Sequence, residues 1–434
     1  MYDLIVIGSG PAGYVAAIKA AQKGMKTLVI ERNKLGGMCL NWGCVPTNIN
    51  VESARRYHEV VNSMELGVTG FDPEKIELDW AKVVERQKNI VAKLKNRIDY
   101  LFRRYKIEFL NAEARIISEN KVQAGDKVFE TKFILIATGS RHPDRAEFPD
   151  AIKVEHHTKE KIVPNRPLIF GYGAPLVEIA QFFAMIGKKP IILASSLPMI
   201  PNLDKELQSF IRQNFRRLGV PIILESEAKI LEDKVIHEGK EYPFDAKINV
   251  SKRIANIPPM DIELEMENGF IKANRVNRTS IPNIFAAGDV NGKGYFAHMA
   301  SAQGLEAVES MLGVPLPEKE SDYPINLYTY PEIAQIGITE QEAIAKGYEY
   351  KTRKYPLTTN AKALAQGMTE GFVRIIYDPV YDDILGAQIV ASNATDIISE
   401  IALLINMNGG MKDLSRAIHA HPTISEVFVD AADI

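Results

Sequence analysis

Asp3-Leu4-Ile5-Val6-Ile7-Gly8-Ser9-Gly10-Pro11-Ala12-Gly13 decides the fold of this chain. The apolar run from Asp3 to Ile7 reads as a strand. The G-x-G-x-x-G that follows opens a helix running from Pro11 to about Lys23, with Pro11 suited to its first turn. Gly8 permits the tight turn, and Gly10 lets a pyrophosphate approach the backbone. Gly13 lets helix pack on strand, and the helix N-terminus turns amide donors toward the phosphates. A second strand, Lys26 to Ile30, ends at Glu31, 18 residues after Gly13, where a carboxylate can accept a hydrogen bond from a ribose hydroxyl. Strand, turn, helix, strand and acid together predict a Rossmann-like dinucleotide site.

The chain has 434 residues and two cysteines, and both fall in Gly36-Gly37-Met38-Cys39-Leu40-Asn41-Trp42-Gly43-Cys44-Val45-Pro46-Thr47, beginning just past Glu31. A bridge closing so short a loop removes little chain entropy, roughly 2 kcal/mol, so redox exchange explains the pair better than stabilisation does. Pro46 fits the first turn of a helix that continues through Arg56, which puts Cys44 at a helix N-terminus, where the partial positive charge favours thiolate. A dinucleotide that exchanges electrons with a cysteine pair points to a flavin.

The opening Met1-Tyr2-Asp3 lacks the basic start and cleavage site of a secretory signal, so we expect a cytoplasmic location, where a cysteine bridge is more often catalytic than structural. No apolar run approaches the ~18 residues of a membrane span. With 52 basic and 55 acidic side chains the net charge is -3, which gives no electrostatic footprint for nucleic acid. We expect neither nucleic acid nor membrane as a partner.

Two later segments, Ile136-Ala137-Thr138-Gly139-Ser140 and Ile284-Phe285-Ala286-Ala287-Gly288-Asp289, complete a pattern. Over nearly its full length the sequence resembles the flavoprotein disulfide reductases. The resemblance implies an α/β protein with two Rossmann-like three-layer domains and an α+β C-terminal dimerisation domain. Residues 1–145 with 270–315 would bind FAD, 146–269 would form an NAD-binding-like domain, and 316–434 the interface domain. It further implies that Cys39 and Cys44 form a redox disulfide, Cys39 exchanging with substrate and Cys44 touching the flavin. FAD would lie along Gly8, Gly10, Pro11, Ala12, Gly13, Glu31, Gly37, Met38, Ala114, Ala137, Thr138, Gly139, Gly288, Asp289 and Ala297, with Asp289 on the ribityl chain.

Near the C-terminus stands Ile418-His419-Ala420-His421-Pro422-Thr423-Ile424-Ser425-Glu426. An H-x-H spacing can hold metal, but no carboxylate cluster completes a shell, and we expect no metal. The segment resembles the H-x-H-P-T-x-S-E of dihydrolipoyl dehydrogenases, and Val427 after Glu426 favours that type over glutathione reductase. By that resemblance His421 is the base, Glu426 orients it, and His419 is structural. Mercuric reductase would need a further cysteine pair that is absent. The family's members are dimers in which this histidine reaches the disulfide of the other subunit, so a homodimer acting on a dithiol or disulfide is implied, a lipoyl carrier domain among the candidates.

Several positions depart from the family pattern. A second glycine unit, Pro167 to Phe170 into Gly171-Tyr172-Gly173-Ala174-Pro175-Leu176-Val177-Glu178, has Leu176 where the third glycine belongs. Gly171, Gly173 and Glu178 are its expected cofactor residues. Ala194 stands where an acid would bind the nucleotide ribose, and no arginine replaces it; losing that bond would cost about 1–3 kcal/mol, or roughly five- to a hundredfold in affinity. Thr47-Asn48 replaces the family's Ser-Lys, leaving Glu178 without the lysine expected to pair with it, and Lys252 in Val250 to Asn256 is a candidate replacement. These departures keep alternatives open: another electron partner or disulfide substrate, or a flavin-bearing regulatory protein without turnover. Elsewhere, 85–106 reads as a helix with Ile90, Leu94, Ile98, Leu101, Phe102 and Tyr105 on one face and eight basic residues elsewhere, either a solvated face or a dock for an acidic carrier. Val314 to Pro317 reads as a linker.

Overall fold

A computed structural model describes residues 1–141, 163–250, 252–317 and 322–433. The expected boundary at 145/146 lies outside the described residues. The chain forms two compact units, one of Met1–Ile49, Trp80–Lys153 and Lys252–Glu320, the other of Asn50–Asp79, Val154–Ser251 and Ser321–Ile434.

The first unit is built on a sheet whose parallel part runs Glu108–Asn111, Thr27–Glu31 (β2), Tyr2–Ile7 (β1), Lys127–Ile136 and Ile284–Ala286. Its strands alternate between two cores, as side chains on a pleat must. Leu4, Val6 and Val29 pack on one face with Ala12, Ala16 and Ala20 of the helix Pro11–Gln22 (α1). Ile5, Ile7, Leu28 and Ile30 pack on the other with Val122 and Ile271. Small residues let α1 sit close to its neighbours. A Cβ on Gly13 would stand 2.0 Å from the Gly8 carbonyl oxygen, and one on Gly304 of the helix Ala297–Met311 would stand 2.4 Å from that of Ala12. After β2 come two helices, Gly37–Asn41 (α2) and Cys44–Val61 (α3). The basic helix spans Trp80–Arg104, starting earlier than its sequence pattern because Trp80, Val83 and Val84 are also buried; Leu94, midway, is exposed.

The second unit repeats the motif on a smaller scale. Its four-stranded parallel sheet orders Ile222–Leu224, Ile191–Ala194 (β4), Pro167–Gly171 (β3) and Ala246–Val250, and the helix Ala174–Met185 (α4) follows the glycine turn. Leu176 is fully buried in α4. A leucine there excludes the backbone approach that Gly13 makes in the first unit, so the strand–helix gap is filled by a side chain. An antiparallel five-stranded sheet, from Ile325–Leu327 to Ile384–Ala391, carries the C-terminal helices. The architecture is therefore the expected one, two Rossmann-like sheets and an α+β C-terminal part.

Arg374 ties the two halves of the second unit together. Its guanidinium donates to the fully buried Asp204 at 2.6 Å, to Gln388 at 2.9 Å and to Glu206 at 3.0 Å. Removing one member of a buried pair strands the other, so Arg374→Met should destabilise the protein by ~3–5 kcal/mol in urea unfolding followed by circular dichroism. Adding Asp204→Asn should recover part of that loss; strictly additive losses would show that the pair is not coupled.

Candidate active site

Ser9 organises the first glycine turn. Its amide and hydroxyl donate to Glu31 Oε2 at 2.9 and 2.8 Å, and the Asn33 amide donates to Oε1 at 2.7 Å. The carboxylate is thus fixed at the end of β2, beside the turn. Gly36 donates its amide to the Ser9 carbonyl at 3.1 Å, which draws α2 onto the same turn. There Gly37, at φ +61, lies so near that a Cβ would stand 2.6 Å from Gly10 Cα.

From Glu31 a cleft of about 400 Å³ runs to the cysteine pair. The turn residues Gly8, Gly10, Pro11 and Ala12 line it together with Gly37 and Met38 of α2. Ala114, Ala137, Thr138 and Gly139 form a further wall, and Gly288, Asp289 and Ala297 complete it. Of the residues expected at FAD, Gly13 alone stays out of the lining, because it is packed on Gly8. The cradle suits a dinucleotide: a Cβ on Gly8 would meet the Ala137 carbonyl oxygen at 2.4 Å, and helix α1 presents its free N-terminal amides.

Cys39 lies within α2 and Cys44 is the first residue of α3, both on the cleft. The Trp42 and Gly43 amides both donate to the Met38 carbonyl at 2.8 Å, a tight reversal that returns Cys44 toward Cys39. The thiols are in hydrogen-bond contact; that contact and burial hold the Cys39 thiol well above the usual range. Cys44 is exposed at the helix N-terminus, the place that favours thiolate.

Asp289 accepts from Ser140 Oγ at 2.5 Å and pairs with Arg253 at 3.1 Å. Arg253 stacks on the Tyr295 ring with 4.8 Å to its centroid and donates to the Tyr295 carbonyl at 3.2 Å. Asn256 anchors the same segment through the Thr138 carbonyl at 3.1 Å. Arg253 and Asn256, which both line the cleft, were missed as site residues. The candidate lysine beside them, Lys252, is exposed in the first unit. Glu178 lies in the second, buried, where it accepts the Tyr328 amide at 2.9 Å; burial raises its carboxyl to about 7.

The C-terminal histidines differ sharply. His421 is 74% exposed and its Nδ1 lies 2.8 Å from Glu426 Oε1. Glu426 also accepts the Thr423 amide at 2.7 Å; that bond first, and His421 second, hold its carboxyl below the usual range. His419 is half-buried, with Nε2 at 2.6 Å from Glu400 and Nδ1 at 3.2 Å from the Ala417 carbonyl, so both its nitrogens are engaged. No group of three or more possible metal ligands occurs among the described residues.

The second glycine turn differs from the first in backbone as well as in equipment, since Gly173 takes φ +86 where Gly10 takes φ −67. Gly171 and Gly173 both take positive φ. The Gly173 amide, however, donates to the Met199 carbonyl at 2.9 Å, and Ala194 is fully buried with no polar side chain. It therefore lacks the acid of the first turn, and its second glycine amide is already engaged.

Residues 2–304 match the family model described as pyridine nucleotide-disulphide oxidoreductase, and residues 323–432 match that family's dimerisation domain. A dihydrolipoyl dehydrogenase of Zymomonas mobilis is 32% identical over 450 residues, 98% of this chain and 96% of its own length. One from Bacillus subtilis is 33% identical, covering 100% and 96%. Two solved structures share the fold: LpdA of Mycobacterium tuberculosis, TM-score 0.88 at 23% identity with 99% of each chain covered, and the HOCl-induced flavoprotein disulfide reductase RclA of Escherichia coli, 0.85 at 21% with 100% of each covered.

Burial of Glu178 makes stability depend on pH. Its carboxyl titrates near 4.5 when unfolded and about 7 when folded, so the folded state holds the proton more tightly. The stabilisation is full below the unfolded value and is lost as pH rises through the folded one. Glu178→Gln should therefore stabilise the protein by ~1–3 kcal/mol at pH 8 and by less at pH 5, read from thermal unfolding. An equal effect at both pH values would show that Glu178 ionises normally.

Proposed function

Because the chain belongs to the pyridine nucleotide-disulphide oxidoreductases, we propose that it is an FAD-dependent dithiol oxidoreductase of the dihydrolipoyl dehydrogenase type, with NAD as its second redox partner. The observation that carries this reading is the single cleft lined by the glycine turn, Glu31, Asp289 and both cysteines. FAD would rest there, its ribose at Glu31 and its ribityl chain at Asp289, and would supply the two-electron chemistry beyond the disulfide.

The protein's own residues account for the dithiol half. His421, oriented by Glu426, takes the proton from a substrate thiol. The resulting thiolate attacks the sulfur of Cys39, and Cys44 leaves as a thiolate at the N-terminus of α3. The second substrate thiol then displaces Cys39, releasing a substrate disulfide and leaving both protein cysteines reduced. The exposure of His421 supports a base that serves a partner subunit's Cys39 within a homodimer, as in the family resembled. A lipoyl carrier domain is the proposed source of the dithiol, with the basic helix Trp80–Arg104 as its dock. None of the described helices is long and apolar enough to cross a membrane, and we place the enzyme in the cytoplasm. The proposed functional division stays at 1–145 with 270–315, 146–269 and 316–434, although contacts group 252–269 with the first of these.

Anaerobic spectroscopy of the flavin tests this reading. Dihydrolipoamide should bleach the wild type; Cys39→Ser or Cys44→Ser should abolish bleaching, and His421→Gln should slow it ~10²–10⁴-fold, the usual contribution of a general base. Bleaching that survives Cys39→Ser would overturn the disulfide route. Substituting NADH for the dithiol in a parallel sample tests the nucleotide half separately.

A further inference from the structure

We infer that the second glycine turn binds pyridine nucleotides loosely and does not distinguish NAD from NADP, and that Ala194 fixes this indifference. The inference rests on the reading that a pyridine nucleotide is the second redox partner.

The chain contains its own comparison. In the first unit Ile7 pairs with Ile30, 23 positions on, so the next pair sets Gly8 opposite Glu31. In the second unit Gly171 pairs with Ala194, again 23 positions on. The registers superimpose the two turns and assign Ala194 to the place that Glu31 occupies.

The chemistry at that place differs. A carboxylate accepts a ribose 2′-hydroxyl and repels a 2′-phosphate; a guanidinium does the reverse. Ala194 does neither. Of the residues that follow, Ser195 is exposed and Ser196 half-buried, and their hydroxyls can bond a sugar hydroxyl or a phosphate oxygen alike. Discrimination is a difference between two affinities, and none of Ala194, Ser195 and Ser196 interacts differently with the two ligands.

Looseness has a second source. Gly173 precedes α4, and its amide is a donor that a pyrophosphate would use, yet it already donates to the Met199 carbonyl. Met199 and Ile200 are buried, which holds that carbonyl in place. The equivalent Gly10 amide in the first unit has no protein acceptor among the described residues. An incoming nucleotide therefore exchanges a satisfied bond rather than filling a free donor.

Isothermal titration of the FAD-loaded protein with NAD and with NADP reads this directly. The two Kd values should lie within about tenfold of each other. Ala194→Glu should shift their ratio at least ~10-fold toward NAD, and Ser195→Arg, at an exposed position that should not disturb folding, should shift it toward NADP. A wild-type preference above roughly a hundredfold, or ratios unmoved by both variants, would overturn the inference. If neither nucleotide binds while dihydrolipoamide still bleaches the flavin, this inference and the nucleotide half of the proposed function fall together and the dithiol half stands. If both bind alike but dithiol bleaches nothing, the inference stands and the dithiol half falls.

Discussion

Two glycine backbones in contact, Gly10 and Gly37, make one site out of two sequence motifs. With no side chain between them, α2 lies directly on the cofactor turn, and Cys39 follows two residues later. Ser9 reinforces the contact from both sides, since its amide and hydroxyl fix Glu31 while its carbonyl receives the Gly36 amide. The ribose acid and the redox helix are thereby positioned by a single residue of the turn. Any Cβ at Gly37 would push α2 away and carry the cysteines with it, and its φ of +61 already favours glycine.

The same geometry separates two chemically identical thiols. Cys39 is inside a five-residue helix, where its neighbour and burial disfavour its thiolate. Cys44 heads an 18-residue helix and is exposed. In thiol exchange the better leaving group is the sulfur whose thiolate is better stabilised. The exposed place of Cys44 at its helix N-terminus favours the leaving role that family resemblance gives it.

Features encoded locally were legible in the sequence. The run into Gly8, the start of α1 and the place of Cys44 at the head of α3 depend on residues within one turn of each other. The second acid position was also legible: counting along the sequence reached Ala194, and the β3–β4 register reaches it independently. What escaped were contacts across long separations. Asp289 meets Ser140 and Arg253 through chain closure of the first unit, and no periodicity marks a guanidinium that stacks on Tyr295. Lys252 was singled out for its charge alone, and a short segment without regular alternation does not encode that its side chain is exposed. His419 was assigned a structural role by analogy, and its physical basis, the bond to Glu400, required the helix Ala394–Asn406 to be in place.

The two glycine turns show that a Rossmann-like strand, turn and helix can be kept while the groups that grip a nucleotide change. Form demands a backbone with positive φ, a helix start and a filled core. The second turn meets these demands with Gly171, Gly173 and the buried Leu176, which occupies the space that close packing at Gly13 removes in the first. Chemistry demands a free amide and a side chain that answers the ribose, and neither contributes to the core. Leu176 adds fully buried apolar surface at this position. Stability and nucleotide recognition are thus separable at this position, and a turn that has kept the first supplies no evidence for the second.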